Sequence, residues 1–259
     1  MEKENQNRSR RDFMKQSTLL AGGIMAMPFV SNAGYFNSVD DTIKVAVIGC
    51  GGRGTGAAWQ ALSTKYNVKL VAMADAFRDR LDSSYAALTK DEEGDVKSKV
   101  AVTEETKFVG FDAYKKAIPL ADVIILTTPP GFRPIHFEEA VRQGKHVFME
   151  KPVATDPAGV KKVLEVADIA RKKKLNVVVG LQRHYQTSYR ELYKRVKDGM
   201  IGDITSAQVY WNSDGVWVNP RKPGQTEMEY QMRNWYYFNW LCGDHICEQH
   251  IHNMDVMHW

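Results

Sequence analysis

The chain has 259 residues, 44% of them hydrophobic and 25% charged, with a formal net charge of +4. That length can bury a sizeable core in one large domain or two modest ones, and the composition excludes a disordered or fibrous chain. The weak positive balance excludes the electrostatic footprint expected for a nucleic-acid or membrane-surface partner.

In chain order, residues 1–33 read as an export leader rather than as fold. Ser9-Arg10-Arg11-Asp12-Phe13-Met14-Lys15 precedes an apolar stretch from Leu19 to Val30, and Ser31-Asn32-Ala33 closes it. A charged start, a short apolar core and small residues at the end make a signal peptide, and the paired arginines mark the Tat type. The apolar stretch is short for a membrane span and is interrupted by Gly22, Gly23 and Pro28. The expectation is a periplasmic protein, exported already folded and cleaved near Ala33, without a membrane span. Cys50, Cys242 and Cys247 are few and odd in number, so no disulfide framework is expected.

A polar linker over 34–41 leads into Ile43–Ile48, a buried strand that runs into glycines. Helical spacing resumes at Ala57–Leu62, and a second strand, Val68–Ala74, ends at Asp75 before a helix through Ala86-Ala87-Leu88. Residues 89–99 are charged and read as a surface loop. The strand from Asp122 to Thr127 is stopped by Pro129-Pro130. Next come a helix over Ile135–Gln143, a strand His146–Met149, a helix Asp156–Lys174 and a strand Asn176–Gly180. Nearly continuous apolar strands alternating with helices predict a parallel sheet covered on both faces. A doubly wound α/β domain therefore occupies 42–181. Beyond it, Tyr189–Lys197 is helical and Thr205–Trp211 alternates like a strand with one open face. Residues 182–259 thus open a second domain. The chain stops at Trp259 inside a helical pattern, so this domain is expected to be incomplete.

Gly49-Cys50-Gly51-Gly52-Arg53-Gly54 fits the dinucleotide fingerprint G-x-G-x-x-G between a strand and a helix. The first glycine permits the turn, the second lets backbone approach a pyrophosphate, and the third allows helix and strand to pack closely. Asp75, 21 residues after Gly54, stands where a ribose hydroxyl would bind. A carboxylate there favours NAD, while Arg78 and Arg80 nearby leave NADP open. Together with Glu150-Lys151-Pro152, and with Thr127-Thr128-Pro129 followed by His136, this pattern resembles the Gfo/Idh/MocA oxidoreductases, over about 42–259. The resemblance implies a Rossmann domain followed by an α/β domain with a large open antiparallel sheet, through which copies would pair as a homo-oligomer. It also implies a cofactor site that includes Arg53, Thr127, Pro129, His136, Glu150 and Lys151, with Lys151 beside the nicotinamide and a reacting hydroxyl. A carbohydrate or polyol is the implied substrate. An Asp-x-x-x-His pair of that family supplies the acid/base histidine; here Glu248 and His252 stand in its place.

The stretch GDHICEQHIHNMD packs three histidines, three acids and a cysteine into residues 243–255. At the helical period of about 100° per residue, Asp244, His245, Glu248, His252 and Asp255 share one face, opposite Cys247. The expected roles are His252 as proton acceptor, Glu248 as its orienting partner and Lys151 as stabiliser of the oxygen. Arg183 and His184, directly after the last Rossmann strand, would face the same cleft with Asp244 and Asp255. A metal-dependent hydrolase with zinc on His245, Glu248 and His252, as a second class of function, and a satisfied polar helix face are the competing readings. Export adds a constraint, because the periplasm is not expected to supply free nicotinamide. The cofactor would stay bound and be recycled, by a second carbonyl substrate or in redox-neutral glycoside cleavage. A non-catalytic sugar-binding protein remains the third class.

Overall fold

Successive side chains of a strand point to opposite faces of its sheet, so a strand covered on both sides needs apolar residues at every position. Ile43–Ile48 meets that demand from its third residue onward. In the computed structural model, which describes residues 41–90 and 95–259, Ala46 and Ile48 enter one core while Val45 and Val47 enter the other. The expected leader, and the linker up to residue 40, lie outside the described residues.

The first half of the chain alternates β1 (Ile43–Ile48), α1 (Gly52–Leu62), β2 (Val68–Asp75), α2 (Arg78–Lys90), β3 (Lys107–Val109) and α3 (Ala113–Ala117). It continues through β4 (Val123–Leu126), α4 (Arg133–Arg142), β5 (His146–Met149), α5 (Pro157–Lys172) and β6 (Val177–Val179). The strands lie in the order β3-β2-β1-β4-β5-β6 and every neighbouring pair is parallel. This is the doubly wound Rossmann order, and the chain reverses direction across the sheet between β1 and β4, where such sheets bind ligands. Helices α1 and α2 cover one face through Ala57, Ala58, Leu62, Leu81 and Leu88. Helices α4 and α5 cover the other through Phe137, Ala140, Val141, Val163, Val166 and Ala170. Each fully buried leucine or phenylalanine contributes roughly 1.5–3 kcal/mol. Local chemistry starts α5 where it does: Asp156 accepts a hydrogen bond from the Gly159 amide at 2.8 Å and Pro157 takes the first helical position.

Two elements escape the sequence patterning. Strand β3 has three residues and α3 five, too short for either period to register. They are placed by tertiary pairing of Lys107–Val109 with Met73–Asp75.

Residues 182–259 carry α6 (Thr187–Lys197), α7 (Glu227–Arg233), α8 (Asn239–Cys242), a π-helical turn (Ile246–His250) and α9 (Ile251–His258). The strand expected at 205–211 is not formed. The segment is irregular and mostly exposed, and no neighbouring strand completes a hydrogen-bonded ladder with it among the described residues. Alternation alone does not make a strand without a partner. No described helix is long and apolar enough to cross a membrane.

Candidate active site

The glycine loop follows β1 and separates two jobs that the fingerprint merges. Gly49 has φ +99°, in the left-handed region, and an added Cβ would lie 2.6 Å from the Thr128 amide nitrogen. At Gly54 an added Cβ would lie 1.9 Å from the Gly49 carbonyl oxygen. These two glycines exist for packing. Gly51 and Gly52, in contrast, have nothing within 4 Å of such a Cβ. They face open space at the start of α1, a helix with no side-chain cap and no acidic residue in its first turn. Uncapped N–H groups and the positive end of the helix dipole make that space suited to a phosphate.

The space is a pocket of about 510 Å³. Gly49, Gly51, Gly52, Arg53, Gly54, Asp75, Thr127, Pro129 and His136 line it, as do Arg80 and Tyr114. Asp75 ends β2 and its carboxylate accepts from the Cys50 amide (2.6 Å) and the Phe77 amide (2.9 Å). Burial pushes its pKa up, against the pull of those two amides. The Thr127 hydroxyl donates to the Gly49 carbonyl at 2.6 Å and so ties β4 to the glycine turn. The His136 ring is buried, 3.1 Å from the Thr128 hydroxyl. Burial, and then the neighbouring Arg133 charge, lower its pKa to about 3. The open glycines, the uncapped helix and the carboxylate at the end of β2 fit a dinucleotide: phosphates over Gly51–Arg53 and a ribose at Asp75.

Glu150 and Lys151 do not line this pocket. Glu150 pairs with Arg53 at 2.6 Å. Lys151 projects past the end of β5 into a second cluster built from the far part of the chain. Its ammonium donates to Glu248 Oε2 at 2.8 Å and also to the Glu248 backbone carbonyl. Both side chains are nearly enclosed, at 12% and 5% exposure. Burial raises the Glu248 pKa, and the Lys151 charge opposes that rise. His252 is buried beside this pair, and its ring centroid lies 5.9 Å from that of Trp211. Its Nδ1 has no hydrogen-bond partner. Desolvation, then the Lys151 and Arg183 charges, lower its pKa to about 4, so the ring is neutral at pH 7.

The expected orienting bond from Glu248 to His252 is absent, because the carboxylate is taken by Lys151. The helical projection misplaced it. Residues 246–250 form a π-helical turn, in which the angular step differs from that of an α-helix, and Gly243 (φ 73°) and Asp244 (φ 68°) break the helix before it. Asp244 is exposed, and its carboxylate accepts from the His245 amide at 2.7 Å. It does not join the cluster. His245 turns its Nε2 toward the Trp211 carbonyl at 3.1 Å. The three zinc ligands considered above therefore do not converge, and no group of three His, Cys, Asp or Glu side chains among the described residues has metal-holding geometry.

Arg183 and His184 reach the cluster, and both approach α9. Arg183 donates to the His252 carbonyl at 2.9 Å and to the Asn253 side chain, and His184 Nε2 lies 2.8 Å from Asp255. They brace the helix that carries His252. Sequence reasoning passed over Arg133, which is 1% exposed and donates to the Leu126 and Thr128 carbonyls at 2.8 and 2.6 Å. It secures the end of β4 at the pocket, and burial lowers its pKa to about 10. An arginine opening an amphipathic helix reads as solvated, so no sequence signal marks it. Trp217 and Trp235 line the dinucleotide pocket, with Asn219 and Arg233.

An inositol 2-dehydrogenase of Gluconacetobacter diazotrophicus is 29% identical over 143 residues, covering 55% of this chain and 36% of that protein. A glycosyl hydrolase family 109 protein of Solibacter usitatus is 24% identical over 210 residues, or 80% of this chain and 46% of the relative. The fold resembles that of apo scyllo-inositol dehydrogenase from Lactobacillus casei, with a TM-score of 0.57 at 23% identity, over 84% of this chain and 54% of that one. The chain thus spans about half the length, or less, of the relatives it matches. Residues 43–181 match the model of the Gfo/Idh/MocA oxidoreductases with an NAD-binding Rossmann fold, and the chain belongs to that family.

Proposed function

We propose that the full-length protein is an exported, NAD(P)-dependent oxidoreductase that oxidises a secondary alcohol of an inositol-like polyol or sugar, the carbon giving up hydride and its hydroxyl a proton, keeps its cofactor bound and works as a homo-oligomer. The observation that carries this reading is Lys151, held by Glu248 past the end of β5 and adjoining the buried, neutral His252. Bound NAD supplies the hydride acceptor. The chain's own groups handle the oxygen and the proton.

An ammonium has three N–H donors. Glu248 takes two of them, one through its carboxylate and one through its carbonyl. The third is left for a substrate oxygen, whose developing negative charge the ammonium stabilises. The role assigned to Glu248 therefore shifts from orienting His252 to aiming Lys151 and holding its charge in a nearly dry site. His252, neutral at pH 7, accepts the hydroxyl proton. Its low pKa makes it a weak base, so the proton passes on readily and the Lys151 charge discourages a standing imidazolium. Arg183 and the His184–Asp255 pair keep α9, and with it His252, in register.

A second reading is redox-neutral glycoside cleavage on the same residues, favoured by the likeness to a glycosyl hydrolase family 109 protein over 80% of this chain. One preparation tests both. The full-length protein, purified without nucleotide and denatured, is assayed for released nicotinamide by chromatography and mass spectrometry. Near-stoichiometric NAD supports a retained cofactor; no nucleotide, and none bound on addition, overturns the hydride reading. Inositols, sugars and glycosides then separate the two. Free sugar released without a second substrate and without net NADH marks cleavage, and oxidised polyol marks dehydrogenation.

A further inference from the structure

The dinucleotide pocket is not a property of the Rossmann sheet alone. Trp217, Asn219, Met232, Arg233 and Trp235 form its outer wall, and they come from a stretch more than 130 residues after the glycine loop. That stretch is braced within itself. Asn234, 2% exposed, accepts from the Asn219 amide at 2.6 Å and returns a bond to the Asn219 carbonyl at 3.0 Å, while the Asn219 side chain donates to the Arg233 carbonyl at 2.7 Å. Thr226 caps α7 by accepting from the Glu229 amide at 3.2 Å. The wall is therefore a preformed flap rather than a loose loop.

The Arg233 side chain ties the flap to the turn that carries Asp75. Arg233 donates from both terminal nitrogens to Asp79, at 2.9 and 3.0 Å, and its guanidinium lies 4.1 Å from the centre of the Phe77 ring. Its Nε pairs with Glu229 of its own helix at 2.9 Å, which fixes the fork in this direction. Phe77 also gives its amide to Asp75, so the latch lands on the same turn that presents the ribose-binding carboxylate. A bidentate arginine–carboxylate pair on one side and a ring on the other is a directional tie.

We propose that Arg233 is a positioning residue for cofactor retention: its fork onto Asp79 holds the 217–235 flap closed over the dinucleotide pocket and sets the rate at which nucleotide leaves. The proposal rests on the dinucleotide reading above. Lifting the flap would break the Asp79 pair and the Phe77 contact together.

The test is the dissociation rate of NADH from the full-length protein, followed by fluorescence after displacement with excess NAD, for wild type, Asp79→Asn, Arg233→Lys and the double variant. Asp79 is 61% exposed and lies outside the dinucleotide pocket, so Asp79→Asn tests the tie without disturbing the fold. The expected result is roughly fivefold faster release in Asp79→Asn, with the double variant releasing more slowly than the product of the two single effects, because the Asp79 pair is already lost in each. Raising ionic strength should speed release by a larger factor in wild type than in Asp79→Asn, where only the phosphate contacts remain to be screened. Release at the wild-type rate in both single variants overturns the latch while leaving the cofactor reading intact. Failure of the wild-type protein to bind NADH overturns both.

Discussion

Gly52 and Gly54 stand two residues apart in one motif, and replacing each with alanine should do opposite things. The Cβ of Gly54→Ala would fall 1.9 Å from the Gly49 carbonyl oxygen and 2.7 Å from Thr127 Oγ1. Neither neighbour can give way cheaply. Gly49 is held by its amide on Ala74 at 2.8 Å, and Thr127 Oγ1 is the group that bonds the Gly49 carbonyl. Helix α1 must move off the sheet by roughly an ångström or more to restore ordinary contact. Overpacking of this kind costs about 2–3 kcal/mol, which lowers the Tm of a domain this size by roughly 5–10 °C. Gly52→Ala meets nothing within 4 Å and sits at the first position of the helix, so it should leave the Tm unchanged or slightly higher. Its methyl group instead enters the open space beside Gly51 at the helix N-terminus, where a phosphate would approach, and NADH affinity should fall about tenfold. Calorimetric melting and fluorescence titration with NADH, on both variants of the full-length protein, read the two effects apart. A Gly54→Ala protein that melts at the wild-type temperature, or a Gly52→Ala protein that binds NADH normally, would refute this division of labour.

Three further outcomes follow from the clusters around the pocket. Lys151→Met strands the Glu248 carboxylate at 5% exposure and should cost about 3 kcal/mol or more at pH 7. Adding Glu248→Gln should recover most of that stability in urea melts, while turnover stays down roughly a hundredfold or more. His252 has a folded pKa of about 4, below its ordinary 6.5, so on acidification the unfolded chain takes the proton first. Its contribution to stability is complete above pH 6.5 and declines down to about pH 4, by at most roughly 1.4 kcal/mol per pH unit. His252→Gln should flatten that part of the stability profile, and urea midpoints at pH 7 and pH 5 measure it. Asp75→Ala removes the acceptor of two backbone amides, so it should lose about 1–3 kcal/mol of stability. It should also narrow the preference for NADH over NADPH, read from paired titrations.

The sheet was legible because buried parallel strands leave a strong local signature. Val45 to Ile48 are apolar at every position, and the strands expected around 122–127, 146–149 and 176–180 form in the parallel order that alternation with helices requires. Most of the pocket was legible for the same reason. A glycine motif between a strand and a helix is a statement about backbone, and backbone in that position has one arrangement.

What the sequence by itself determined is this frame: the Rossmann order, the glycine turn, Asp75 at the end of the next strand and Lys151 past β5. Only the tertiary structure decided which partners those groups take. The spacing of Glu248 and His252 suggested a pair, but a π-helical turn altered their angular relation, and a buried ammonium drew the carboxylate away. Arg133 looked like an ordinary surface arginine until the fold buried it behind two carbonyls at the end of β4. Trp217, Arg233 and Trp235 sit far along the chain from the glycine loop, and no local period records that they close over it. Secondary structure follows from interactions a few residues apart, which a sequence displays. Pairing of charges and closure of a pocket depend on groups separated by about a hundred residues or more, whose meeting is set by packing and desolvation.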